Sequence, residues 1–187
     1  MRVRKAFTAL TTTCALAFAV AIAPAPAQAD SWPVWYVWYI SVFKPTSGVP
    51  TMVMDVVNGS SANMTPVQLW ELRTSGNTLN QQWLVRSKQI DTRGNYGYEI
   101  VNKGSSKCLD RRADLGLGNG NAVQQYECTG ASNQIWWPVR VGTSDWGLLK
   151  NGADGRCLDV RDVRYANGAP LQVWDCSGDW NQRWNIY

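Results

Sequence analysis

Asn80-Gln81-Gln82-Trp83, Asn133-Gln134-Ile135-Trp136 and Asn181-Gln182-Arg183-Trp184 are three copies of one short motif. Upstream of each copy stands a Gln-x-aromatic triplet: Gln68-Leu69-Trp70, Gln124-Gln125-Tyr126 and Gln172-Val173-Trp174. Further upstream stands an Asp in a short apolar setting: Met54-Asp55-Val56, Leu109-Asp110-Arg111 and Leu158-Asp159-Val160. Asp and ring are 15, 16 and 15 residues apart, and ring and Asn are 10, 7 and 7 apart. Matched positions at matched spacing mark a triple internal repeat, so any chemistry of the chain occurs up to three times. The extra length of the first copy falls in loop 74–80. There Ser75-Gly76-Asn77 signals a turn, and an insertion adds little closure entropy.

Around these motifs, short apolar or alternating runs recur at 35–43, 68–72, 83–86, 98–102, 122–128, 135–141, 147–150, 170–176 and 183–187. Turn clusters such as Gly104-Ser105-Ser106, Gly116-Leu117-Gly118-Asn119-Gly120 and Asn151-Gly152-Ala153-Asp154-Gly155 separate them. No long stretch has the 3.6-residue period of an amphipathic helix. The pattern predicts an all-β chain with about four short strands per repeat. Three such repeats can close into a pseudo-threefold barrel with a hairpin cap, which removes exposed strand edges. Trp83, Trp136 and Trp184 are expected to fill the core, and the Gln two residues before each to satisfy backbone groups at the turn.

Residues 1–29 read as a signal peptide. Arg2, Arg4 and Lys5 form a basic start, 6–22 is apolar, and Ala27-Gln28-Ala29 has the small-x-small form of a cleavage site. The expected destination is outside the cell. The 18 basic residues exceed the 14 acidic ones by four, but three of the basic ones lie in 1–29. No basic stripe for nucleic acid remains, and no later run is apolar enough to span a membrane.

Cys14 falls in the signal segment, leaving Cys108, Cys128, Cys157 and Cys176. Four cysteines permit three pairings. Cys108 and Cys157 stand directly ahead of Leu-Asp, and Cys128 and Cys176 stand two residues after the aromatic, so the repeat selects Cys108–Cys128 and Cys157–Cys176. Each closes a loop of about 20 residues, worth roughly 3 kcal/mol. Repeat one carries Val53 and Leu72 at these positions, an apolar pair in place of the bond.

The third repeat reads Arg156-Cys157-Leu158-Asp159-Val160, then Asn167-Gly168-Ala169-Pro170-Leu171-Gln172-Val173-Trp174-Asp175-Cys176, then Asn181-Gln182-Arg183-Trp184. This succession resembles the ricin B-type (R-type) lectin domain, a β-trefoil that is also a carbohydrate-binding module. The likeness covers roughly 45–187, with repeats at about 45–90, 94–141 and 143–187. Segment 30–44 fits loosely, as an aromatic-rich first strand containing Trp32, Trp35, Tyr36, Trp38 and Tyr39. The resemblance implies that galactose-type or xylan-type glycans are bound at up to three shallow sites, without a cofactor or metal.

Sugar binding in water takes a carboxylate that accepts from two hydroxyls, an amide, and a ring for the apolar sugar face. By resemblance, the third site comprises Asp159, Gln172, Trp174, Asn181 and Gln182, and the second Asp110, Gln124, Tyr126, Asn133 and Gln134. The first comprises Asp55, Gln68, Trp70, Asn80 and Gln81. It ranks last because it lacks the disulfide and because the longer loop can displace Asn80.

Catalysis has little support. The chain contains no histidine, which excludes histidine-based triads and histidine metal sites. Glycoside hydrolysis needs two carboxylates about 5–10 Å apart, whereas the repeat aspartates belong to separate lobes. Asp114, Asp162 and Glu127 fall among turns. The alternative is a β-trefoil that binds protein, such as a protease inhibitor or a toxin-associated subunit. Such a protein has no need to keep Asp, ring and Asn three times.

Overall fold

The computed structural model describes residues 34–89 and 96–185. The expected signal segment 1–29 and Trp32 of the aromatic run lie outside them. Repeat one holds β1 (Val34–Trp38), β2 (Ser41–Val42), β3 (Met52–Val56), β4 (Thr65–Glu71) and β5 (Trp83–Gln89). Repeat two holds β6 (Tyr96–Asn102), β7 (Cys108–Arg111), β8 (Val123–Tyr126) and β9 (Trp136–Arg140). Repeat three holds β10 (Trp146–Asn151), β11 (Cys157–Val160), β12 (Ala169–Trp174) and β13 (Trp184–Asn185). Among the described residues there is no α-helix, only short 3-10 turns.

Two features depart from the strand pattern read in the sequence. The run 35–43 is not one strand but two, β1 and β2. Ile40 breaks it: its side chain is fully buried and its carbonyl accepts from Met54 N at 2.9 Å. The chain thus leaves the edge of β5, where β1 pairs, and enters the core beside β3. The second departure is that the short apolar settings of the three aspartates are themselves strands, β3, β7 and β11. Every residue in them is buried, so they lack the period-2 alternation that marks a half-exposed strand.

The fourth strand of each repeat pairs with the first strand of the next: β5 with β6, β9 with β10, and β13 with β2, which closes the ring. The second and third strands form hairpins β3–β4, β7–β8 and β11–β12. Their third strands meet one another through β4–β8, β4–β12 and a bridge between Ala122 and Gln172. This closed, pseudo-threefold arrangement is a β-trefoil.

Trp83, Trp136 and Trp184 are fully buried at its centre among Val42, Leu69, Ile100, Leu149 and Val173. The expected disulfides Cys108–Cys128 and Cys157–Cys176 are both present. In repeat one, Val53 is fully buried and Leu72 half-buried at the matching positions. One asparagine per repeat links the lobes in a cycle. Asn63 Oδ1 accepts from Glu127 N at 3.1 Å, Asn119 Oδ1 from Asp175 N at 2.9 Å, and Asn167 Oδ1 from Glu71 N at 2.7 Å.

Candidate functional site

Each hairpin sets an Asp directly opposite a Gln: Asp55 faces Gln68, Asp110 faces Gln124, and Asp159 faces Gln172. Directly paired residues point to the same face of the sheet, so the Gln amide donates to the Asp Oδ1 at 3.0, 3.0 and 2.8 Å. The core tryptophan of each repeat fixes the strand from behind. Trp83, Trp136 and Trp184 donate Nε1–H to the carbonyls of Met54, Leu109 and Leu158, the residues just before the aspartates. A buried indole needs an acceptor, and here that need aligns the site.

The Asn-Gln pairs lie in 3-10 turns at Leu79–Gln81, Ser132–Gln134 and Trp180–Gln182. Asn80, Asn133 and Asn181 donate to the Asp Oδ2 at 2.8, 2.8 and 2.7 Å. Their second Nδ2 hydrogen goes to the carbonyl of Val56, Arg111 or Val160. Both donors are therefore committed, and Asn133 and Asn181 have only their oxygens to offer the cleft. The longer loop of repeat one does not displace Asn80.

Gln81, Gln134 and Gln182 are 0–1% exposed. Their oxygens accept from the amides of Arg73, Thr129 and Ser177, and their nitrogens donate to the carbonyls of Glu71, Glu127 and Asp175. They brace the loop behind the aspartate. Gln134 and Gln182 also reach the Asp Oδ2, at 3.0 and 2.9 Å.

Each aspartate is consequently a buried hub, 3% exposed, that already accepts three hydrogen bonds. A carboxylate has about four acceptor positions. One is left on Oδ1, not the two that a bidentate grip on vicinal hydroxyls needs. Burial pushes the carboxyls of Asp55, Asp110 and Asp159 above the usual carboxylate range. The surrounding amides partly offset this, as does the Arg73 charge at Asp55.

The rings differ in access. Trp70 and Tyr126 are half-buried, and Trp174 is 44% exposed. Clefts of about 520, 280 and 660 Å³ open over the hubs of repeats one, two and three. Repeat one contributes Met64 to the wall of the second and smallest cleft, with φ +63 and 52% exposure. Its counterpart in the third cleft is Gly120, so the methionine side chain takes space that is open there. Among the described residues no group of His, Cys, Asp and Glu comes together to hold a metal ion.

The repeat pattern does not point to Arg73. Its Nη2 donates to Asp55 Oδ2 at 3.3 Å and to Asn80 Oδ1 at 2.6 Å, where repeats two and three have Gln134 and Gln182 on the carboxylate. It heads the longer loop of repeat one, and its aligned positions, Thr129 and Ser177, carry no charge. Nor does the repeat pattern point to Arg161. It donates to Gln172 Oε1 and to the carbonyl of Gly120, and so ties the third hub to the neighbouring lobe.

Residues 79–174 match the ricin-type beta-trefoil lectin domain-like family. The chain belongs to that family. Nigrin b of Sambucus nigra is 26% identical over 58% of this chain and 23% of its own length. The beta-galactoside-specific lectin 2 of Viscum album is 42% identical over 26% of this chain and 9% of its own. The chain thus spans less than a quarter of either relative. Among solved structures, the designed threefold-symmetric protein ThreeFoil superposes with a TM-score of 0.66 at 26% identity, covering 80% of this chain and 96% of that one. The exo-beta-1,3-galactanase of Clostridium thermocellum superposes at 0.63 and 29% identity, over 78% of this chain and 29% of that one. A carbohydrate-binding, lectin-type domain is the class that fold and family define.

Proposed function

We propose that the protein is a secreted lectin that binds galactose-type or xylan-type glycans in the three clefts and has no catalytic activity of its own. The observation that carries this reading is the threefold recurrence of one constellation. In each cleft a buried Asp has one free acceptor position, an Asn lies beside it, and a ring stands at the cleft wall. These residues line the clefts, and the free Asp position, with the Asn oxygen in repeats two and three, is the acceptor available to sugar hydroxyls. Trp174 offers an apolar face to sugar C–H groups. The names of two relatives, a beta-galactoside-specific lectin and a galactanase, favour the galactose type.

Single sites of this shallow kind reach about millimolar affinity, near −4 kcal/mol. Three of them on one rigid body gain by avidity on a polymer or cell surface. A glycan array with the full chain, followed by calorimetric titration of the best ligand against the native protein and Trp174→Ala, tests the reading. The expected result is binding to galactose- or xylose-containing glycans, weakened by the substitution. Capture of no glycan, or release of reducing sugar by pure protein, overturns it.

A further inference from the structure

The three clefts share a hub but not a charge. The first is lined by one carboxylate, Asp55, and one guanidinium, Arg73. The second is lined by Asp110 and Asp114 without a cation. The third is lined by Asp159, Asp162, Asp175 and Asp179 against Arg161 alone. Asp114 pairs with Arg112, and Asp175 with Arg156. Those pairings still leave two carboxylates besides the hub in the third cleft. Where that cleft has Asp162 at φ +58 in its 3-10 turn, the first has the neutral Asn58 at φ +56.

Arg73 is also placed to receive an anion. Its side chain is 42% exposed, and the Asp55 carboxylate beneath it is 4% exposed, so a ligand entering the cleft meets the cation first. Nη2 is committed to Asp55 and Asn80. Among the described residues, Nε–H and the Nη1 hydrogens have no partner. Asn80 Oδ1, the acceptor that Asn133 and Asn181 leave open, is taken by Arg73. The first cleft has therefore exchanged an acceptor for donors.

We propose that the first cleft is specific for a sugar bearing a carboxylate, a hexuronic acid, which Arg73 holds, while the second and third take neutral sugars. This rests on the reading that the clefts bind carbohydrate. A guanidinium binds a planar carboxylate through paired, charge-assisted hydrogen bonds. The same carboxylate in the third cleft would face Asp162 and Asp179.

The test is nuclear magnetic resonance titration of the full chain with methyl galacturonoside and, separately, methyl galactoside. Asn58, Gly59 and Asn80 report on the first cleft, Asn133 on the second, and Trp174 and Asn181 on the third. The uronide is expected to shift the first set saturably, and the galactoside the other two. Arg73→Gln should weaken the uronide by roughly tenfold or more without moving the galactoside affinity. Asn58→Asp, which leaves Arg73 in place, should weaken the uronide as well, and the unperturbed spectrum of each variant shows that it folds. Uronide binding at all three clefts alike, or unchanged by Arg73→Gln, overturns the proposal. Galactoside binding with no uronide binding anywhere overturns it alone. If neither sugar shifts any cleft, the carbohydrate reading falls with it.

Discussion

Asp159→Asn keeps the size of the hub and removes its charge, so it sets two large effects against each other. In favour of the variant, it relieves the burial of a carboxylate whose pKa is raised chiefly by desolvation, with nearby Asp162 adding to the rise. Against it stands the donor geometry. Oδ1 accepts from Gln172 at 2.8 Å, and Oδ2 accepts from Asn181 at 2.7 Å and Gln182 at 2.9 Å. An asparagine can turn its oxygen to the pair on Oδ2, but its NH₂ then points at the Gln172 amide. Gln172 cannot flip to accept, because its oxygen already accepts from Arg161 at 3.0 Å. One buried donor is left facing another, at about 1–3 kcal/mol, and the two remaining bonds lose their charge assistance at roughly 1 kcal/mol each. Set against the relief of desolvation, we expect a net loss of about 2 kcal/mol. That corresponds to a urea midpoint about 1 M lower at an m-value near 2 kcal/mol/M. Equilibrium unfolding followed by tryptophan fluorescence at neutral pH measures it. A variant as stable as the native protein, or more so, would mean that burial of the charge outweighs the loss of acceptors, and would refute the hub reasoning.

Three further outcomes are expected. The pKa values of Asp55, Asp110 and Asp159 are raised on folding, so the folded chain holds protons more tightly than the unfolded one at these groups. Their contribution to stability is complete below the unfolded value near 3.8 and is lost as pH rises through the folded value. Urea midpoints measured from neutral pH down towards 4 should therefore show a rising contribution from these groups, less of it in Asp159→Asn. A protonated carboxyl can aim its hydrogen into the cleft and still accept three bonds, which the asparagine cannot. Asp154→Ala should cost about 3–5 kcal/mol in thermal or urea unfolding, because it leaves the 1% exposed Arg111 without its carboxylate partner at 3.2 Å. A loss under about 1 kcal/mol would show that the Gly116 carbonyl, which also binds Arg111, suffices. Cys157→Ser with Cys176→Ser should lower stability by roughly 3 kcal/mol and leave the Asp159 hub intact, as read by the calorimetric affinity of the third cleft.

The hub residues were legible in sequence because the chain writes them three times: Asp, Gln and Asn recur at fixed spacing, and a hydrogen-bonded hub built in each of three lobes leaves that trace. The disulfides were legible for the same reason. Arg73 was not, because it heads a loop of different length from the other two, and the small hydroxyl residues Thr129 and Ser177 at its matching positions give no sign of a cation there. Nor were the interlobe ties of Asn63, Asn119 and Asn167 picked out, although their spacing repeats. Each bonds a backbone amide of a different repeat, which a pattern read within repeats does not pair.

The repeat by itself pointed to a closed pseudo-threefold barrel, its core tryptophans and its two staples, since period, spacing and residue type are properties that one-dimensional order carries. Tertiary structure alone decided what each cleft can accept. How many lone pairs of Asp159 remain free depends on which amides converge on it from β12 and the last 3-10 turn. Met64 belongs to the first repeat in sequence and to the second cleft in space. The charge of each cleft is likewise set by side chains from separate loops, and electrostatic and steric effects follow distance through space, not position along the chain.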